Sequence, residues 1–524
     1  MGNYSNSNHQ IARAAGTVIL AFIFSQLAGL LRRILVARVF GANIDLDAFI
    51  AANRVSETLF NLIAGGALGS AFIPTFTSLL ARGEKKSAWK LASSIANLVV
   101  ILLIFLGIIA YLIAPQIVRY ALAPGLGKDP QLLQLTVNLL RIQLASAVLF
   151  GLSGLVMGIL NSNQVFLIPA LTPAMYQLGL IFGVLVLAPR FGIYGLAWGV
   201  VIGASLHLLL QIPSLIKQKG SYSLDLGIGD PHVGEVIRLI VPRLAGVAVV
   251  QFNFWVNSAL ATQMGPGSLV GIDYGFSLML MAQAVIAQSV ATAMMPTLAS
   301  QFALGKLDEV RHSLAATLRG VLFLAVPASI GLILLREPII SLLYERGNFN
   351  AHSTELVAWA LLWYAAGLIG HSVLEILARA FYALHDTKTP VMVGIAAMSL
   401  NVVFSFSFSA LFKRLGWMPH GGLALANTLA TALESIVLLV LMRKRLKGLS
   451  SRNLLKGFGQ ALAASLLMGS VIFVWLQRGE ASSAGLVTLG GVVLGGGVYL
   501  VSILVMQVPE VQSLVRYVKN RISR

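Results

Sequence analysis

The sequence predicts an all-α polytopic membrane protein. It predicts fourteen transmembrane helices: two six-helix pseudo-symmetric halves around a central cavity, plus two C-terminal helices. Three observations predict this. Hydrophobic residues make up 57% of the 524 residues and charged residues only 11%, whereas water-soluble domains carry about 25% charge. Apolar runs of spanning length, about 20 residues, begin near Ala14 and then centre near residues 60, 103, 150, 176, 202, 250, 285, 323, 368, 400, 431, 466 and 495. Segments of the first half also recur in the second at nearly constant offset.

Each span is bounded by polar or basic chain. Residues 1–14 are polar, and the apolar run from Ala14 reads as an uncleaved first helix, too long for a signal-peptide core. Lys and Arg decide orientation. The loops on the N-terminal side, including Arg82, Lys85, Lys86, Lys90, the 443–456 loop and the tail from Arg516, hold 20 of them; the opposite loops hold 8. Both termini are therefore expected in the cytoplasm. That asymmetry accounts for most of the net charge of +18, so no nucleic-acid partner is expected.

The repeat divides the chain. Ser70-Ala71-Phe72-Ile73-Pro74-Thr75 matches Thr292-Ala293-Met294-Met295-Pro296-Thr297, with the prolines 222 apart. Ile168-Pro169 pairs with Thr389-Pro390, and Gly195-Leu196-Ala197 with Gly422-Leu423-Ala424. The expected parts are an N-terminal half at 1–215 and a cytoplasmic linker at 216–232, rich in Gly, Asp and Pro. A C-terminal half at 233–446 follows, then 447–524 with the last two helices and a basic tail. An offset of six spans makes the halves parallel repeats, the arrangement that gives alternating access by rocking about a midplane site. Glu337 to Phe349 is expected to form a short interfacial helix.

No catalytic motif stands out, so no enzyme and no cofactor are expected. The absence of cysteine removes thiolate chemistry, and eight scattered histidines make no metal site. The informative residues are charges inside spans, which normally face a cavity or a partner. On the first span Ser25, Gln26, Gly29, Arg32 and Arg33 make a polar sector, and Arg38 follows near the outer end. On the second, Asp47, Arg54, Thr58 and Asn61 share a face, with Glu57 placed to pair with Arg54. On the tenth, His371, Glu375 and Arg379 are spaced i, i+4, i+8. The bland alternatives are snorkelling for the arginines and structural ion pairs for the rest. Arg243, Gln251, Asn253, Asn257, Asp273, Gln283 and Gln288 on the seventh and eighth spans read mainly as interhelical glue. Glu434 and Arg141 stand alone. Arginine forks suit phosphate and carboxylate oxygens, so the expected cargo is an anionic lipid-linked molecule. Protons, sodium or the membrane potential are the expected energy source.

Several of these segments resemble the MurJ/MviN lipid II flippase family of the multidrug/oligosaccharidyl-lipid/polysaccharide exporter superfamily. They are Gly41-Ala42 with Asp47-Ala48-Phe49, Gly66-Ala67, Ala71-Phe72-Ile73-Pro74 and Ile159-Leu160-Asn161 through Pro169. The most specific is Leu377-Ala378-Arg379-Ala380-Phe381-Tyr382-Ala383-Leu384 followed by Asp386-Thr387-Lys388-Thr389-Pro390. The resemblance spans nearly the whole chain. It implies a V-shaped cavity, a bacterial inner-membrane location and outward flipping of lipid-linked peptidoglycan precursor, with a groove near the last two helices for the polyprenyl tail. It places Arg32, Asp47 and Arg54 at family cavity positions and a sodium site near Asn257, Asn401 and Thr428. The chain departs from the family's charged pattern at Ser25-Gln26, Ser56-Glu57-Thr58, Gly65-Gly66, Phe276-Ser277 and Leu280. The competing expectations are an exporter of another lipid-linked glycan, a drug/cation antiporter of the same fold, and a membrane scaffold that recruits cell-wall synthesis proteins.

Overall fold

The computed structural model describes residues 2–63, 69–449, 451–478 and 483–507. Gly65, Gly66 and the basic tail after Arg516 lie outside the described residues, as does the side chain of Arg243. We number the principal helices in chain order. The first seven are α1 (Gly2–Phe40), α2 (Ile44–Ile63), α3 (Gly69–Ala81), α4 (Lys85–Leu112), α5 (Pro130–Ser162), α6 (Leu167–Phe182) and α7 (Ile193–Leu209). Next come α8 (Pro231–Ala261), α9 (Ser268–Gln283), α10 (Ser289–Ala303), α11 (Leu307–Leu334) and α12 (Arg336–Tyr344). The last are α13 (Ala351–Ala383), α14 (Lys388–Arg414), α15 (His420–Arg445), α16 (Ser451–Arg478) and α17 (Ala484–Val505). The expected short helix after residue 335 is α12, and α1 already runs from Gly2 rather than from Ala14.

Twelve of these helical stretches are long and apolar enough to cross a membrane. The two other expected spans fall on α2 with α3 and on α8; α2 and α8 carry polar residues that lower their hydropathy, and α3 is a shorter apolar helix. α2 and α8 each carry one of the polar stripes singled out above. Helix starts follow ordinary capping chemistry. Asp129 accepts from Gln131 N at 2.8 Å ahead of Pro130, and Asp230 accepts from His232 N at 2.9 Å ahead of Pro231. Large apolar side chains such as Ile101, Phe105 and Ile108 of α4 are exposed. In water they would be a liability; on a spanning helix they face lipid.

The described chain packs as two compact units: Met1–Pro266 with Arg346–Phe349, and Gly267–Glu345 with Asn350–Arg524. Helix α8, which the repeat places in the second half, packs on α2, α3 and α4 and belongs by contact to the first unit. The repeat glycines show what the repeat preserves. In unit 1, Gly195 lies so close to Leu187 and Ala188 that a Cβ would come within 2.4 Å of backbone. In unit 2, Gly422 sits likewise against Phe408 and Ser409, at 2.6 Å. Each glycine lets a helix start against the end of the preceding one. Pro74 and Pro296 also match, each lying inside a helix, α3 and α10.

The linker is docked on unit 1. Asn97 of α4 donates to the carbonyls of Ser223 (3.0 Å) and Asp225 (2.9 Å). Lys90 pairs with Asp225 at 3.3 Å. The Gly227 amide, then Lys90, hold the Asp225 carboxyl below the usual carboxylate range.

In unit 2 the Asp386 loop joins three helix ends. Asp386 accepts from Thr389 N (3.0 Å) and Thr389 Oγ1 (2.8 Å), capping α14, and Arg445 at the end of α15 donates to it and to Leu384 O. The Thr389 amide, then its hydroxyl and Arg445, hold the Asp386 carboxyl below its ordinary range. The folded value is below the unfolded one. Its contribution is therefore complete above about pH 4 and lost as pH falls through the lower, folded value. Asp386→Ala is expected to destabilise by about 1 kcal/mol through the lost cap, with little change from Arg445→Ala, an exposed pair. Thermal unfolding of the purified variants checks this; equal losses would give the guanidinium the larger role.

Candidate functional site

In unit 1 the charges gather around α2. Its first turn is set by Asn43, whose side chain accepts from Leu46 N at 2.9 Å. Arg54 donates to Glu57 at 3.0 Å and lies 5.3 Å from the centre of the Phe254 ring on α8. Asn53 donates to the other oxygen of Glu57 at 2.7 Å. The spacings i, i+3 and i, i+4 put these three on one helix face. Thr58 donates to Arg54 O and accepts from Trp255 Nε1 at 2.8 Å, which ties α2 to α8. Tyr176 of α6 packs edge-on against Phe150 of α5, with ring centres 5.1 Å apart. Gly29 of α1 abuts Gln177, so the polar sector of α1 faces α6.

A cavity of about 390 Å³ opens beside this cluster, lined among others by Asn53, Glu57, Asn61, Phe150, Tyr176 and His207. Asp47 is not part of it. It is 1% exposed, in the first turn of α2, where the helix dipole favours an anion. Arg38 is exposed, the snorkelling alternative. Arg141 is also on the surface, bonded to Tyr111 O at 3.3 Å and stacked over its ring at 4.5 Å. Sequence reasoning missed Asn53, Phe150, Tyr176 and His207. Asn53 was findable, being four residues before Glu57; the others depend on how α5, α6 and α7 pack.

In unit 2, α13 presents Glu375 and Arg379 as a pair at 2.7 Å, and Arg379 also donates to Thr292 of α10. His371, a turn away, contacts Asn427 of α15 at 3.0 Å. The residues expected to hold an ion are engaged with neighbours. Asn401 Oδ1 accepts from Ser405 at 3.0 Å, and Thr428 donates to Trp363 O at 2.8 Å. Asn257, in unit 1, donates to Asn253 at 3.0 Å.

Spanning helices with partly buried mixed-charge clusters, no strand among the described residues and an internal repeat define a polytopic membrane transporter. The same fold is seen in an inward-facing multidrug MATE transporter of the MOP superfamily (TM-score 0.65, 16% identity, 81% of this chain and 94% of that one). The more specific assignment comes from sequence. The chain belongs to the lipid II flippase MurJ family, whose model matches residues 36–488. It is 30% identical over 466 residues to the lipid II flippase MurJ of Burkholderia cenocepacia, covering 88% of this chain and 89% of that protein. It is 28% identical over 517 residues to a probable lipid II flippase MurJ of Vibrio cholerae, covering 94% and 96%. A solved lipid II flippase MurJ in an inward closed conformation superposes with TM-score 0.81 at 26% identity, covering 93% of this chain and 98% of that one.

Proposed function

We propose that this chain flips lipid II, the undecaprenyl-pyrophosphate-linked peptidoglycan precursor, from the cytoplasmic to the outer leaflet of the bacterial inner membrane by alternating access. The observation that carries the reading is the family match over residues 36–488. The charge clusters support it. Pyrophosphate oxygens are bidentate acceptors for guanidinium, and Arg32, Arg54 and Arg379 are the residues we assign to the headgroup. Glu57 and Glu375 hold two of those guanidiniums in place. Asp47 steadies the start of α2. Asn257, Asn401 and Thr428 are retained as the sodium position the family implies, beside protons and the membrane potential as energy sources. Both termini face the cytoplasm in this reading, and the basic cytoplasmic loops are the surface for cell-wall synthesis proteins.

The test is replacement of the resident flippase. Expression of this chain in bacteria depleted of their own lipid II flippase is expected to restore growth and cell shape. Membrane-inserted protein at normal abundance that fails to restore growth would overturn the reading. It would turn attention to another lipid-linked cargo or to a scaffold.

A further inference from the structure

One carboxyl of unit 2 belongs to none of the clusters above. Glu434 sits mid-way along α15 and is 7% exposed. Its Oε2 has no hydrogen-bond partner. Its Oε1 looks at Gly394 of α14, where an added Cβ would stand 3.2 Å away, so the glycine leaves room for it.

The helices packed on α15 offer it no counter-charge. Helix α14 has no charged residue between Lys388 and Lys413, and the only charge on α9 is Asp273. On α13, Glu375 and Arg379 pair with each other and His371 is on Asn427.

An ionised carboxylate without donors is costly in such a place, and carboxylates inside spans mark ion or proton paths. Hard metal cations need several oxygen ligands, and no group of three or more His, Cys, Asp or Glu residues occurs among the described residues. A proton needs one lone pair.

We propose that Glu434 is a proton-binding site, its carboxyl seated against Gly394 of α14. On loading, an O–H bond forms at the carboxyl as hydronium gives up its proton; on release that bond breaks and water takes the proton back. No electron changes hands. Neutralising Glu434 removes a negative charge from α15, which packs on α13, the helix that carries the Glu375–Arg379 pair, and this ties proton occupancy to a cluster assigned to the headgroup. That tie rests on the flippase reading; the proton site itself does not.

Infrared difference spectra of the full chain in lipid nanodiscs, taken between acidic and alkaline pH, test the site. A carboxylic-acid C=O band that titrates is expected in the wild type and in Glu375→Gln, and its loss is expected in Glu434→Gln. A band that persists in Glu434→Gln, or no titrating band in the wild type, overturns the proposal. Should the glutamine variant fail to fold, Glu434→Asp must shift the band; an unmoved band assigns it elsewhere and overturns it too. In proteoliposomes the wild-type flipping rate is expected to respond to an imposed pH gradient and that of Glu434→Gln is not. An equal response in both removes the coupling. A titrating band without any lipid II movement defeats the flippase reading while leaving the proton site standing.

Discussion

Gly179→Leu is expected to cost unit 1 its α6–α7 pair and to leave the protein aggregated or inactive. Gly179 on α6 and Gly183, just past its end, are four apart, as are Gly195, Gly199 and Gly203 on α7. They meet backbone to backbone. A Cβ at Gly179 would lie 2.2 Å from the Gly203 Cα, one at Gly183 would lie 2.7 Å from the Gly199 Cα, and one at Gly203 would lie 2.6 Å from Tyr176 O. Small residues four apart are how spanning helices approach closely in lipid, where no hydrophobic force drives them together. Overpacking a tight core costs about 1–3 kcal/mol even where side chains can shift. Here backbone must move, so the upper end or more is expected. The loss also reaches the site, because Tyr176 is one turn from Gly179 on the same helix and lines the cavity. Size-exclusion profile and melting temperature of the purified variant measure this. A monodisperse Gly179→Leu protein that melts with the wild type would show that the helices are not held at this distance.

Arg54→Ala is expected to slow lipid II translocation by about ten- to a hundredfold, the equivalent of one charge-assisted hydrogen bond of about 1.5–3 kcal/mol. Its guanidinium is held by Glu57 and by the Phe254 ring, and its side chain is 17% exposed. It is thus set in one orientation yet within reach of solvent. Arg54→Lys is expected to recover only part of the rate, since an ammonium keeps the charge but loses the two-pronged geometry. Glu57→Gln separates holding from binding: it loosens Arg54 without removing it, and a smaller loss is expected. Translocation in proteoliposomes, with melting temperature as the control for folding, reads all three. A folded Arg54→Ala protein that flips lipid II at the wild-type rate would remove Arg54 from the headgroup site.

Much of this was legible in the chain. The Arg54–Glu57 and Glu375–Arg379 pairs follow from helical spacing alone, because neighbours at i+3 and i+4 meet whatever the fold. The repeat anchors Pro74 and Pro296 fell inside matching helices. Asp47 shows the limit of such reasoning: its seven-residue step from Arg54 satisfies helical phase, yet it lies two turns away at a buried helix start. Thr428 shows it again, since the Trp363 carbonyl that it bonds lies on α13, which no helical spacing reveals.

The sequence by itself determined the helical character, the placement of the apolar helices and the repeat, since hydropathy and helical period act between residues near in the chain. Only the tertiary structure decided that α8 packs with the first unit and that Glu57 and Tyr176 line one cavity. It also decided that Glu434 stands buried without a donor. These outcomes depend on which faces of distant helices meet, and that is set by close glycine contacts and side-chain shape summed over the whole unit.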